Sequence, residues 1–193
     1  MPDGSLKLRD QGHAAKAASG ADTMPDGSLK LRGRVIAVLG DNIDTDIIYP
    51  GRYLNITDRD KTAEHLFELA YPEMRASLEP GGIVIAGKNF GCGSSREQAA
   101  SALKYSGVGA VIAASFGRIF LRNAINLGLP AVVSQQAAEA CAAGEELEIH
   151  LAAGEIRNVT RRLLIPAAAL DPRAVELLAA GGLIPYLKRK YVA

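Results

Sequence analysis

Residues 83–133 read IVIAGKNFGCGSSREQAASALKYSGVGAVIAASFGRIFLRNAINLGLPAVV, and this stretch decides the fold. Three short apolar runs within it predict buried strands, at Ile83–Ala86, Ala110–Ala113 and Ala131–Val133. The two segments between these runs predict helices, at Glu97–Tyr105 and Arg118–Leu127. Strands that alternate with helices in this order pair in parallel, because each crossover helix carries the chain back to the same end of the sheet.

The flanking segments extend this pattern on both sides. Residues 35–39 predict a strand, and residues 62–70, with apolar side chains at helical spacing, predict a helix. Residues 146–151 and 156–160 predict an antiparallel hairpin, and the Asp-Pro pair at 171–172 predicts the start of a helix. Parallel and antiparallel pairing in one chain predicts an α/β domain with a mixed sheet.

The N-terminal segment contains a duplication. The sequence MPDGSLKLR occurs at residues 1–9 and again at residues 24–32, and the stretch between the copies is polar and rich in Gly, Ala and Ser. Such a stretch cannot bury a core. We therefore expect residues 1–28 to form a disordered tail, either a cloning scar or a duplicated translation start, and residues 29–193 to form one domain.

Composition argues against several classes of protein. The 193 residues carry a formal net charge of +1, whereas nucleic-acid binding draws on an excess of Lys and Arg. No apolar run approaches the roughly 20 residues that span a membrane. Cys92 and Cys141 are too few for a secreted disulfide framework, so we expect a protein of the reducing cytoplasm. The basic run at residues 188–190 is interpreted as a solvated end of the chain.

The most informative motif is KNFGCGSSRE at residues 88–97, between a predicted strand and a predicted helix. Its two glycines let the backbone turn tightly, and the helix start presents unpaired N–H groups to an anion. Arg96 adds a guanidinium that can hold a carboxylate with two parallel bonds. The alternative is a plain helix start capped by Ser94 or Ser95. The motif lacks the Gly-Lys of a Walker loop, so carboxylate binding is favoured over phosphate binding.

A second polar segment, DNIDTD at residues 41–46, places Asp41, Asp44 and Asp46 close together. Their spacing does not match the calcium loop of an EF-hand. One interpretation is a turn capped by aspartate side chains. The other is that a positive or hydrogen-bonding group meets these like charges, which otherwise repel one another.

Three motifs in a fixed order resemble one known family. The sequences DNIDTD with PGRYL (residues 50–54), NFGCGSSREQA (89–99) and SFGRIFLRNAINLGLP (115–130) resemble the small subunits of 3-isopropylmalate dehydratase. Those subunits are similar to the mobile fourth domain of aconitase. The resemblance runs from about Gly33 to the C-terminus, and it implies a single swivelling β/β/α domain with a mixed sheet.

The resemblance also implies a reaction and a partner. Enzymes of this family are hydro-lyases that move a hydroxyl group between adjacent carbons of a malate-like dicarboxylic acid, by dehydration and rehydration. A [4Fe-4S] cluster acts as Lewis acid, and such a cluster needs three or four cysteine ligands. With two cysteines far apart, this chain is expected to bind no cofactor or metal itself. An aconitase-like large subunit is expected to carry the cluster.

Site residues are implied by the same motifs. In the family the first serine of GSSRE removes the carbon-bound proton, which implies Ser94 as the base. Asp46 is implied as a catalytic carboxylate that orients a His or Arg of the partner. The residues implied to bind the substrate are Gly93, Ser95, Arg96, Thr45, Tyr53, Leu54 and Asn55.

The loop after Tyr53 and Leu54 resembles a segment that selects the substrate, in which an arginine suits an extra carboxylate. Asn55 offers only amide hydrogen bonds and the residues beside it offer apolar surface, although Arg52 supplies a cation nearby. We therefore predict 2-isopropylmalate as substrate, in leucine biosynthesis. The alternatives are the sibling substrates homoaconitate, citramalate and 2,3-dimethylmalate, or a carboxylate-binding module without catalysis.

Three further residues carry chemistry that the motifs do not assign. Cys92 is interpreted either as a reactive thiol near a helix start or as a small side chain that packs within the loop. His65 and His150 lie on a predicted helix and a predicted strand without a partner pattern, so neither is given a role.

Overall fold

The described residues, 21–23 and 29–192 in this computed structural model, contain one mixed sheet. Its strands are β1 (Ala21–Thr23), β2 (Leu29–Leu39), β3 (Ile83–Ala86), β4 (Ala110–Ala113), β5 (Ala131–Val133), β6 (Glu146–His150), β7 (Glu155–Asn158) and β8 (Leu163–Pro166). They are ordered β5-β4-β3-β2-β6-β7-β8, and β1 pairs with β2.

Helices connect the parallel strands and close the domain. They are α1 (Thr45–Ile48), α2 (Arg59–Glu64), α3 (Glu97–Tyr105), α4 (Arg118–Leu127), α5 (Gln135–Ala140), α6 (Pro172–Ala179) and α7 (Leu183–Tyr191). Short 3-10 helices lie at Gly51–Tyr53 and Pro72–Ser77. None of the helices in the described part of the chain combines the length and the apolar character needed to cross a membrane.

The long strand β2 joins the two halves of the sheet. Its first part, residues 30–34, pairs antiparallel with β6. Its second part, residues 35–39, pairs parallel with β3 after a register shift between Val35 and Ala37. β4 and β5 continue the parallel half, whereas β7 and β8 continue the antiparallel half. The predicted α/β fold with a mixed sheet is confirmed.

The parallel half is covered on both faces, and β3 shows how. All four of its residues are buried. Val84 and Ala86 belong to the core that α3 and α4 cover, whereas Ile83 and Ile85 belong to the core that α5 and α6 cover. A continuous apolar run rather than an alternating one is expected for such a strand. The loops that follow β2, β3 and β4 leave the sheet at its carboxyl edge, where open α/β sheets bind ligands.

The helices and strands predicted for residues 83–133 are confirmed at their predicted bounds. Two of the other predicted elements differ from the structure. The predicted helix at 62–70 begins earlier and ends at Glu64, and Phe67 has a positive φ of 53° that a helix does not accommodate. β2 begins at Leu29, six residues before the predicted strand, because β1 and β6 supply hydrogen-bond partners that a local pattern does not show.

Among the strands and α-helices, β1, α1, α5, β8 and α7 are absent from the sequence-based prediction. The basic residues 188–190 are exposed and lie in the last turn of α7. Positive charge there interacts favourably with the negative end of the helix dipole. Of the predicted tail, residues 1–20 and 24–28 lie outside the described residues. Ala21–Thr23 form β1, which pairs antiparallel with Leu29–Leu31.

Candidate active site

The glycine loop, residues 87–96, leaves the buried strand β3 and is held between two neighbouring segments. Phe90 forms an isolated parallel bridge with Phe116, and Cys92 forms one with Asp44. Gly91 has a φ of 72° and lies against the Phe120 ring, so a side chain at this position would meet that ring. The loop therefore has one defined path over the start of α4.

The start of α3 is free of side-chain caps. Arg96 occupies the N-cap position in an extended conformation and makes no capping hydrogen bond. Ser94 and Ser95 precede that position and are exposed. The interpretation in which one of the serines caps the helix is therefore wrong. Both hydroxyls and the first N–H groups of the helix remain available to a ligand.

Arg96 is paired within its own chain. Its Nη1 contacts Oδ1 of Asp46, which also accepts a hydrogen bond from the backbone N–H of Gly51 at 3.1 Å. The hydrogen bond from Arg96 lowers the pKa of the Asp46 carboxyl from its ordinary value. Asp46 was expected to orient a His or Arg of the partner; in this structure it holds Arg96.

The other two aspartates of the segment stabilise the backbone. Asp44 caps α1 and accepts a hydrogen bond from the N–H of Ile47 at 2.8 Å. Oδ1 of Asp41 accepts one from the N–H of Lys88 at 2.7 Å, which ties this segment to the glycine loop. Both interpretations of the aspartate segment thus apply, to different residues: two aspartates cap or brace turns, and the third meets a positive charge.

Thr45 lies buried beneath the glycine loop. Its backbone N–H donates to the carbonyl oxygen of Cys92 at 2.9 Å, and 1% of its surface is exposed. Its hydroxyl Oγ1 has no hydrogen-bond partner, and it would lie 3.5 Å from a Cβ built on Gly93. A buried hydroxyl without a hydrogen-bond partner destabilises the fold, because its lost hydration is not replaced. The position of this hydroxyl against the loop makes it a candidate donor to a ligand.

The segment of residues 51–56, called the selection loop below, lies on the other side of the Arg96–Asp46 pair. A Cβ on Gly51 would lie 3.3 Å from Nη1 of Arg96, so the loop begins in contact with this guanidinium. Tyr53 and Leu54 are partly buried against the core, whereas Asn55 is exposed. Only Asn55 of the three predicted binding residues therefore presents its side chain mainly to solvent.

A pocket of about 750 Å³ opens between the glycine loop and the start of α4. Ser94, Gly93 and Cys92 line one wall, and Arg118 and Arg122 line the other. Neither arginine makes an ion pair within the part of the chain that the structure describes. Sequence reasoning missed both arginines, although their i,i+4 spacing within the motif SFGRIFLRNAINLGLP is a readable signal.

The two cysteines have different surroundings. Cys92 is half-buried in the pocket wall, whereas Cys141 is buried beside Asn158. Burial raises the pKa of the Cys141 thiol, so this thiol is the less reactive of the two. No cluster of three or more His, Cys, Asp or Glu side chains within residues 29–192 is arranged to hold a metal ion.

Comparisons with known proteins agree with the fold and the motifs. Residues 42–137 match the family described as the aconitase C-terminal domain. The 3-isopropylmalate dehydratase small subunit of Moorella thermoacetica is 54% identical over 151 residues, which cover 78% of this chain and 91% of that protein. The methanogen homoaconitase small subunit of Methanothermobacter thermautotrophicus is 48% identical over 150 residues, which cover 77% and 86% of the two chains.

A solved structure shows the same fold. The crystal structure of 3-isopropylmalate dehydratase from Methanocaldococcus jannaschii superposes with a TM-score of 0.77 at 41% sequence identity. The match covers 84% of this chain and 96% of that one. Similarity therefore extends over nearly the whole of the related proteins.

Proposed function

Because the chain belongs to the family of aconitase-type dehydratase small subunits, we propose that it is one subunit of a hydro-lyase that interconverts 2-isopropylmalate and 3-isopropylmalate in leucine biosynthesis. One observation carries the proposal. The loop with the sequence GSSRE presents Ser94 in a pocket wall, just before a helix start that no side chain caps. A carboxylate substrate suits this arrangement because the helix start offers uncapped N–H groups and because Arg118 and Arg122 line the opposite wall of the pocket.

Ser94 is proposed as the base that removes the carbon-bound proton. A neutral hydroxyl is a poor base, so its alkoxide must be stabilised by N–H groups and positive charge in a site that excludes water. The start of α3 supplies N–H groups without a side-chain cap, and Arg96 supplies a guanidinium two residues away. The Ser94 hydroxyl then holds the proton, and it returns the proton to carbon in the rehydration step.

Arg96 is proposed to bind a carboxylate of the substrate and Asp46 to fix the orientation of Arg96. The contact between them leaves the remaining guanidinium N–H groups for a ligand. Gly93 and Ser95 supply backbone and hydroxyl groups beside it, and the unpaired hydroxyl of Thr45 is a further candidate donor. Arg118 and Arg122, on the opposite wall, add positive charge that favours a dianion.

The residues of the described chain do not fit an iron–sulfur cluster. Cys92 lies in the glycine loop and Cys141 is buried after α5, and no group of His, Cys, Asp or Glu completes a set of ligands around either. We therefore propose that an aconitase-like large subunit supplies the [4Fe-4S] cluster and covers the pocket beside Ser94. A cytoplasmic location is part of the proposal, because two cysteines are too few for the disulfide framework of a secreted protein.

Reconstitution with the large subunit tests the proposal. The purified chain alone is expected to turn over no 2-isopropylmalate, and the assembled enzyme is expected to turn it over. In the assembled enzyme, Ser94→Ala is expected to lower kcat by about 10²–10⁴-fold, as for loss of a proton-transfer group. Ser101→Ala, on the outer part of α3, is the matched control and should leave kcat unchanged. Near-normal turnover by Ser94→Ala would remove Ser94 as the base, and turnover by the chain alone would contradict the subunit assignment.

A sibling substrate is the second candidate function, and the relative named a homoaconitase small subunit supports it. A third carboxylate needs a cation to offset its desolvation, whereas Asn55 offers an amide. We expect kcat/KM to be higher for 2-isopropylmalate than for homoaconitate, and we expect Asn55→Arg to shift the ratio towards homoaconitate. A native preference for homoaconitate would change the substrate and leave the reaction class in place.

A further inference from the structure

The carboxylate of Glu68 contacts three side chains at the selection loop, those of Arg52, Tyr53 and His65. Its Oε1 accepts hydrogen bonds from Nη2 of Arg52 at 3.0 Å and from the hydroxyl of Tyr53 at 2.9 Å. Its Oε2 lies 2.6 Å from Nδ1 of His65. Glu68 and His65 follow α2, so these contacts bind the loop to a segment that the sequence motifs leave without a role.

Ring packing holds the same loop from other directions. The rings of Tyr53 and His65 are stacked, with centroids 3.6 Å apart and planes at 9°. The guanidinium of Arg52 lies over the Tyr53 ring, 4.8 Å from its centroid. The carbonyl oxygen of Tyr53 accepts a hydrogen bond from the fully buried Tyr49 at 2.9 Å. The direction in which the next two residues leave Tyr53 is therefore set by contacts on several sides.

The cluster of Arg52, Tyr53, His65 and Glu68 reaches the active site through Gly51. The N–H of Gly51 donates to Asp46, and a Cβ built on Gly51 would lie 3.3 Å from Nη1 of Arg96. Arg52 is the next residue along the chain. It is thus a cation that directly follows the residue beside the Arg96–Asp46 pair.

Arg52 is not a free cation in this arrangement. The Glu68 side chain is 27% exposed and that of Arg52 is 54% exposed, and the pair is in direct contact. The hydrogen bond with His65, followed by the one from Tyr53 and the positive charge of Arg52, lowers the pKa of the Glu68 carboxyl. Glu68 therefore stays ionised at neutral pH and balances the charge of Arg52. An additional carboxylate that arrived here would lose its hydration without gaining an unpaired positive charge.

Resting on the proposed function, we propose that Glu68 is a positioning residue for substrate choice: it holds Arg52 away from the substrate and thereby disfavours substrates with a third carboxylate. The exposed Asn55 side chain then offers the substrate an amide and no unpaired positive charge. Glu68 does not touch the substrate, and it acts through Arg52 and through the fixed path of the loop. Selectivity for a dicarboxylate over a tricarboxylate then comes from the lack of an unpaired cation for the third carboxylate, and not only from contacts that favour the preferred substrate.

The test compares homoaconitate with 2-isopropylmalate in the enzyme assembled with its large subunit. Glu68→Gln keeps the size of the side chain and removes its charge, so Arg52 is released. The ratio of kcat/KM for homoaconitate to kcat/KM for 2-isopropylmalate is expected to rise about fivefold, the scale of a partly exposed ion pair. The double variant Glu68→Gln/Arg52→Gln is expected to return the ratio to that of the unmodified enzyme. Glu64→Gln, an exposed glutamate of α2, is the matched control and should not change it.

A purely structural role would lower both kcat/KM values together and would not be reversed by the second substitution. An unchanged ratio in Glu68→Gln, with normal turnover of 2-isopropylmalate by the unmodified enzyme, would overturn the role of Glu68 alone. Failure of the unmodified assembled enzyme to use either substrate would overturn the proposed function and this inference with it. If Glu68→Gln does not fold, Arg52→Gln is the deciding variant. A fivefold or greater loss of kcat/KM for homoaconitate would show that Arg52 already acts as a free cation in the unmodified enzyme. A change below twofold would support the masking of Arg52 by Glu68.

Discussion

Gly117 is the point at which α4 packs against the glycine loop, and Gly117→Ala perturbs that contact alone. A Cβ on Gly117 would lie 2.5 Å from the carbonyl oxygen of Gly91 and 3.2 Å from Cα of Cys92. The backbone of Gly117 has φ −60° and ψ 130°, which alanine adopts readily. The perturbation is therefore a steric clash between two backbone segments and not torsional strain.

The size of the effect follows from these distances. Ordinary contacts of a Cβ begin at 3.4 Å and essentially none fall below 3.0 Å, so the loop must move by about 0.5–0.9 Å in a densely packed region. Overpacking of this kind costs about 1–3 kcal/mol, which lowers Tm by roughly 2–12 °C for a chain of this size. Misplacing a catalytic group by about 1 Å costs up to about 100-fold in rate, so kcat/KM is expected to fall about 10- to 100-fold.

The assay is steady-state turnover of 2-isopropylmalate by the assembled enzyme, together with thermal unfolding of the isolated chain. Gly40→Ala is the control, because a Cβ on Gly40 meets nothing within 4 Å. That variant should match the unmodified protein in both measurements. If Gly117→Ala lowered Tm but left kcat/KM within twofold, the packing of this glycine would not control the position of Ser94 and the argument would be refuted.

Three further predictions rest on single contacts. The pKa of the Asp46 carboxyl is lowered because Arg96 donates to it. Ionised Asp46 therefore stabilises the fold fully above the ordinary pKa of 3.8, and this contribution is lost as the pH falls through the lowered pKa. Arg96→Gln should raise the Asp46 pKa towards 3.8 in a carboxyl NMR titration, and an unchanged pKa would contradict the pairing. Alkylation at neutral pH should modify Cys92 well before Cys141, which is buried and has a raised pKa; mass spectrometry of partly labelled protein decides, and equal rates would disagree with the buried position. Lys104 donates to the carbonyl oxygen of Leu127, the last residue of α4, and to that of Gly181, which follows α6. Lys104→Met should therefore destabilise the chain by about 1–3 kcal/mol in urea unfolding, whereas a change below about 0.3 kcal/mol would mean that water satisfies those carbonyls.

The sequence by itself determined the parallel half of the fold and the position of the glycine loop within it. The strands and helices of residues 83–133 depend on short apolar runs and on helix stops that lie within a few residues of one another, so a local pattern specifies them. The glycine loop was readable for the same reason, since its glycines, serines and arginine are consecutive.

Only the tertiary structure decided which of these residues meet. Asp46 and Arg96 are 50 residues apart in sequence, and Glu68 and Arg52 are 16 apart. Asp46 meets Arg96 because the ends of β2 and β3 lie side by side at one edge of the sheet, which brings the segments that follow them together. Arg52 meets Glu68 because the single connection between β2 and β3 folds back on itself. β1 and β6 likewise lengthen β2 through pairing that no run of residues reveals. Hydrophobic periodicity indicates whether a segment is buried and not which segments lie beside it. The pairing of charged side chains that are distant in sequence therefore depends on the order of the strands.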